Sequence, residues 1–172
     1  MKHLLVFGVA LMFLISVMAR TALAAPETEA KPDPTVTAKM NRLPFNGTVQ
    51  STETSVTVFP TMSATATGSG NATELGSFTI HYQVEINLLD LSSTETAQFS
   101  GTNGDSLRAE AVGQATENRT PGMLNVVDIY KITGGTGRFD GARGTFTLNR
   151  LVSATTGAAS STFEGYLLVP WK

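Results

Sequence analysis

Ser77-Phe78-Thr79-Ile80-His81-Tyr82-Gln83-Val84-Glu85-Ile86-Asn87-Leu88 places an apolar or aromatic side chain at every even position and a polar one at every odd position. Side chains of an extended chain point alternately to its two faces, so this period of two describes one long strand with an apolar face and a polar face. A helix of the same length would scatter both kinds of residue around its circumference.

Working outward, the chain from Pro44 onward is rich in Thr, Ser, Val, Phe and Gly, a composition suited to a pleated, half-buried surface. Further strands are expected at about 45–54, 55–59, 63–69, 93–102, 106–114, 123–132, 144–152 and 162–169, the first two of which can equally be one bent strand. Asn103-Gly104-Asp105 is a hairpin turn signal, because Asn and Gly tolerate the positive φ that such turns need. Thr120-Pro121-Gly122 and Gly157-Ala158-Ala159 mark two more connections. No useful helical period follows the N-terminal segment, which excludes a parallel sheet with crossover helices. The fold class is therefore all-β, with antiparallel strands that close into a barrel or pack as a sandwich.

Five glycines fall within Ile132-Thr-Gly-Gly-Thr-Gly-Arg-Phe-Asp-Gly-Ala-Arg-Gly144. Glycine disfavours a helix and permits sharp turning and close backbone approach, so a shaped turn between two strands is expected here, held by Phe139. It is not a nucleotide loop: no Gly-Lys-Ser/Thr follows, Asp140 stands where a dinucleotide fingerprint needs its last glycine, and a strand comes next. Thr133 to Gly144 resembles the Thr-Gly-Gly-Ser-Gly-x-Phe-Glu-Gly-Ala-x-Gly segment of plant allene oxide cyclases. It is also similar to the Gly-Gly-Thr-Gly-x-Phe-x-x-Ala-Arg-Gly segment of dirigent proteins. The likeness extends more loosely over Ala97 to Val169. It implies an eight-stranded antiparallel β-barrel of the allene oxide cyclase/dirigent type, which also removes exposed sheet edges.

The first residues form a different kind of segment. Lys2 and His3 precede an apolar run from Leu4 to Met18, and Ala22-Leu23-Ala24 is a small-x-small cleavage signal. The run is too short to span a bilayer, which takes about 20 apolar residues. Residues 1–24 are expected to be a signal peptide, 25–43, with three prolines, a disordered leader, and 44–172 the barrel. Cleavage would send the protein to the periplasm or outside the cell, with no stable membrane anchor. The 148 residues from Ala25 onward suffice for one domain, and carry 10 Lys and Arg against 14 Asp and Glu. That balance excludes nucleic-acid binding, which needs clustered cations. The absence of cysteine excludes thiol catalysis and thiolate-bound metals.

Candidate functional residues follow from both lines of reading. Asp128 and Tyr130, two apart on one strand, share a face and project together into the barrel or onto its wall. Inside, among apolar walls, their pKa values would shift and proton transfer would be within reach. Outside that reading, Asp128 would pair with Arg138 or Arg143 as a structural salt bridge. The dirigent resemblance maps a retained arginine onto Arg143. Glu85-Ile86-Asn87 is similar to the Glu-Ile-Asn of allene oxide cyclases, where the Glu and Asn take part in cyclisation; the cyclase lumen cysteine has no counterpart here. Glu85 and Asn87 share a face with His81 and Gln83, which is either lumen or outer surface. Asp128, Arg143, Glu85 and Asn87 are thus the catalytic candidates, and Tyr130, Phe139, Tyr82 and His81 the ligand-binding ones. His81 is the only histidine beyond residue 24, too few for a zinc site of the usual kind, so no metal and no cofactor is expected. A hydrolase triad lacks a nucleophile-elbow pattern.

The expected function is binding of a small hydrophobic molecule in the lumen, with guidance of its cyclisation or coupling as cofactor-free isomerase or dirigent-like activity. The alternative is a non-catalytic exported barrel that acts through its outer surface, including as a homo-oligomer. The two differ in whether the interior is an open pocket with polar groups or is filled with side chains.

Overall fold

The computed structural model describes residues 39–171, and the expected signal peptide and most of the expected leader lie outside the described residues. Nine strands follow one another: β1 (Met40–Pro44), β2 (Gly47–Val58), β3 (Thr61–Ala72), β4 (Gly76–Asn87), β5 (Ser92–Gly101), β6 (Ser106–Glu117), β7 (Met123–Thr136), β8 (Arg143–Ser153) and β9 (Ala158–Pro170). All pairings are antiparallel between neighbours in sequence from β2 to β9, and β9 also pairs with β2, closing an eight-stranded barrel.

β1 is the extra strand. It pairs with Tyr166–Pro170 of β9, while β2 pairs with the preceding Ala158–Phe163, so the two run along one edge in succession. Between them Phe45 is fully buried and its amide donates to Gly165 O at 3.0 Å. Residues 40–43, read from sequence as leader, are therefore part of the sheet: Leu43 packs on the core and the backbone of β9 holds the rest. The two segments expected at 45–54 and 55–59 are a single strand, β2.

The glycine-rich stretch is also less of a turn than its composition suggests. β7 continues through Thr136, with Thr133 as an extra residue opposite the Arg108/Ala109 step of β6. Such a bulge twists and bends the strand without ending it. The turn itself is confined to the 3-10 turn Gly137–Phe139 and the residues up to Ala142. Gly137 starts it at φ +63°, a conformation that a residue with a Cβ rarely adopts. Phe139 is swung inward and buried, as expected of the only large apolar side chain in the loop. The register of β4 resolves its two faces: Phe78, Ile80, Tyr82 and Val84 are buried inside, and His81, Gln83, Glu85 and Asn87 are exposed outside.

The lumen is filled along half its length. Phe45, Phe78, Phe99, Phe146 and Phe163, with Tyr130 stacked on Phe146 at 4.6 Å, form a continuous aromatic cluster at the end closed by Leu107, Ile132, Phe139, Ala142 and Leu167. Edge-to-face and offset rings at these separations add to the burial of large apolar surface. The other end holds a smaller apolar cluster, Val126, Val152 and Ala159 with Ala115 and Leu124, and opens to solvent beside it.

Candidate functional site

Where the aromatic cluster ends, the lumen carries a layer of charge. β8 alternates Phe146, Leu148, Arg150 and Val152 inward, so a strand pattern that is otherwise apolar delivers one guanidinium to the barrel axis. Three carboxylates meet it: Glu53 of β2 at 2.9 Å, Glu95 of β5 at 3.2 Å and Asp128 of β7 at 2.9 Å. Arg150 Nη1 also donates to the Tyr82 hydroxyl at 3.0 Å, which in turn donates to Glu53 Oε1 at 2.6 Å and lies 3.2 Å from Ser51 Oγ. The Tyr130 hydroxyl donates to Glu95 Oε1. Asp128 is in charge contact with Arg150 Nη2, but neither of its oxygens receives a well-directed hydrogen bond, and Arg150 Nε has no acceptor.

One guanidinium among three carboxylates leaves an excess of negative charge in a water-poor space. Burying an ion without full compensation is expensive, and a group in that position answers by taking up a proton. Burial raises Glu95 to about 7; Arg150 opposes the shift, and Asp128 and Glu53 reinforce it. Asp128 is raised for the same leading reason, again against the pull of Arg150. Burial likewise raises the Tyr82 and Tyr130 phenols, which stay protonated and act as donors. Near neutral pH the layer therefore exchanges a proton through Glu95, the property required of a general acid or base.

Above this layer the barrel opens as a cup of about 340 Å³. Its wall is mostly apolar, with Val84, Ile86, Leu91, Leu124, Val126 and Val152, interrupted by the hydroxyls of Ser55, Ser93 and Thr155, and its floor is Glu53 and Arg150. Four larger concavities, of about 990, 940, 490 and 460 Å³, are more open and are bordered by outward side chains such as Gln50 and His81, Gln83 and Lys131, or Glu85 and Asn87. We place the site in the cup, because it is the more enclosed space and abuts the charged layer.

The backbone the chain adopts is already known from elsewhere. The structure is similar to that of a pterocarpan synthase dirigent protein, with a TM-score of 0.57 and 15% identity over 87% of this chain and 100% of that one. The barrel is dirigent-like. No family description and no curated protein matches the chain in sequence, so the similarity concerns the fold alone. The dirigent half of the expected resemblance holds at that level.

Several candidates move once the faces of this dirigent-like barrel are known. Asp128 and Tyr130 do project together into the lumen, and Tyr82 joins them. Glu85, Asn87 and His81 stand on the outer wall, because they occupy the odd positions of β4; His81 contacts its neighbour strand at Ala66 O, 3.1 Å away. Arg143, at the first position of β8, is exposed and does not reach Asp128. Arg138 pairs instead with Asp105 of the β5–β6 hairpin at 3.2 Å. Phe139 is buried in the filled end, away from the cup. The structure adds Arg150, Glu95 and Glu53, which the sequence reading did not single out. Their signal was there: a charge at an inward position of an alternating strand, visible only after the inward parity is fixed.

Proposed function

We propose that the protein binds a small hydrophobic molecule in the cup and guides its cyclisation or coupling without a cofactor, after export to the periplasm or the cell exterior. The observation that carries this reading is the junction of a mostly apolar cup with a buried layer in which Arg150 meets Glu95, Asp128 and Glu53. A ligand pocket of a few hundred Å³ with apolar walls and few convergent polar groups is the usual form of a small-molecule site. Here the walls would hold a flexible apolar substrate in one conformer, which is where most of the rate gain of such a site would arise. Glu95, which accepts from the Tyr130 hydroxyl and faces Arg150 beneath the floor, would supply or accept a proton at neutral pH. The fold is compatible with this, since the similar solved structure is that of a pterocarpan synthase dirigent protein.

The test is ligand binding followed by site blocking. Thermal-shift and native mass-spectrometric screening against terpenoids, phenolics and fatty-acid epoxides should find one stabilising class. Ala115→Phe, which places a ring in the cup from β6, should abolish that stabilisation in a protein that still folds. Binding that survives Ala115→Phe, or no binding by any class, would remove the lumen from consideration.

A second reading places the work outside. Val112, Val127, Ile129 and Leu151 are exposed large apolar side chains on the outer wall of β6 to β8, of which Val112 and Ile129 are cross-strand partners. Such a cluster suits association with another surface, including a second copy of the chain. Sedimentation analysis of Ile129→Lys against the parent distinguishes it.

A further inference from the structure

We infer that the cup selects a cationic guest: an apolar molecule bearing one protonated amine, with the ammonium group at the floor. The inference rests on the lumen-binding reading above and names the chemical class that this floor would accept.

Three observations lead to it. First, the guanidinium is already taken. Arg150 Nη1 serves Glu53 and Tyr82, and Nη2 serves Glu95 and Asp128, so an incoming anion would have to displace a resident carboxylate to reach it. Second, acceptor capacity is left over. Glu53 Oε1 takes the donors of Tyr82 and Arg150, and no described donor reaches Oε2 of this cup-lining carboxylate. Asp128, wholly buried just beneath, has Oδ2 against Arg150 Nη2 at 2.9 Å and no donor on Oδ1. Third, among the described residues Arg150 is the only basic one lining the cup, and the layer has two more carboxylates than guanidinium groups. A floor short of donors and of positive charge favours a ligand that brings both.

Ammonium suits it on each count. It has three donors and no acceptor, and it carries the charge that the layer otherwise obtains by binding a proton. In a space screened from water, attraction between such charges is several times stronger than at the surface. A carboxylate or phosphate of the same size meets the opposite condition, with repulsion from Glu53 and Asp128 and no free donor.

A matched series on the parent protein tests this. 3-Phenylpropylamine, 3-phenylpropanol and 3-phenylpropanoate share one apolar body and differ in charge, and are titrated calorimetrically at pH 7.5. The amine is expected to bind about tenfold or more tighter than the alcohol, and the carboxylate most weakly. Glu53→Gln, which removes one charge at the floor while keeping shape, is expected to weaken the amine and strengthen the carboxylate. Ala115→Phe should remove binding of all three. If the carboxylate or the alcohol binds as tightly as the amine, the cation inference is overturned while the lumen site stands. If none of the three binds, the inference falls together with the lumen reading, and a preference that Glu53→Gln leaves unchanged overturns the role of the floor.

Discussion

Asp128 of β7 and Gly113 of β6 are cross-strand partners, and the carboxylate of Asp128 occupies the space that a side chain at position 113 would need. A Cβ on Gly113 would collide with Asp128 Oδ1 and lie 2.5 Å from Ser93 Oγ. Gly113→Ala should therefore push Asp128 off Arg150 and destabilise the fold by about 1–3 kcal/mol, the usual cost of overpacking. Urea denaturation of the variant beside the parent measures it, and an unchanged midpoint would mean that the carboxylate relocates freely.

Arg150 is the countercharge for three acids, so its loss should cost far more than the loss of any one of them. Arg150→Met keeps volume and removes the charge, and is expected to cost about 3–5 kcal/mol at pH 7.5, as breaking a buried ion pair does. The cost should shrink at pH 5, where the stranded acids accept protons. Denaturation at the two pH values checks both statements.

The proton on Glu95 makes stability depend on pH with a definite sign. Its folded pKa of about 7 lies above the 4.5 of the unfolded chain, so between those values the folded state holds more protons. Stability then falls as pH rises through this window, with the full contribution present below about 4.5. Asp128, also raised, acts in the same direction. Besides burial, the groups that set the shift face Glu95 from three strands: Arg150 of β8, Asp128 and Tyr130 of β7, and Glu53 of β2. Melting temperatures measured from pH 5 to 8 should decline, and Glu95→Gln should flatten the decline.

Tyr130 joins the two halves of the lumen, with its ring stacked on Phe146 and its hydroxyl on Glu95. Tyr130→Phe keeps the stack and removes the donor, leaving one more unsatisfied buried oxygen at a cost of about 1–3 kcal/mol. Tyr130→Ala also opens a cavity among the rings and should approach the 3–5 kcal/mol typical of losing a buried aromatic. Comparing the two by denaturation separates the contributions of hydroxyl and ring.

Glu85 and Arg143 serve as outside controls. Both are exposed and make no described ion pair, so Glu85→Ala and Arg143→Ala should change stability by no more than about 0.5 kcal/mol. Ligand binding in the cup should be unaffected; a loss in either variant would argue for a site on the outer wall.

Period-two alternation made β4 legible from Ser77 to Asn87, because inward and outward residues differ in kind along that whole stretch. The barrel as such was legible only through the glycine-rich likeness, since antiparallel strands of this length fit a sandwich equally well. The extent of that glycine segment misled: a bulge at Thr133 is a property of pairing with β6, and composition does not reveal a partner strand. The charged layer was harder still. Glu53, Glu95 and Arg150 each sit singly in their strands, separated by 42 and 55 residues, and only closure of the barrel brings them together. A one-residue uncertainty in register would send any of them to the surface, which is why Glu85 and Asn87 stood as candidates and Glu95 was not singled out.

The aromatic cluster that fills one half of the lumen turns the barrel into a blind tube. A guest bound in the cup would have to leave through the mouth by which it came, so in the proposed reaction product and fresh substrate would compete for one doorway. Two partners in a coupling reaction would have to share the 340 Å³ at once or react across the rim. Turnover in such a vessel would be governed by how quickly it empties.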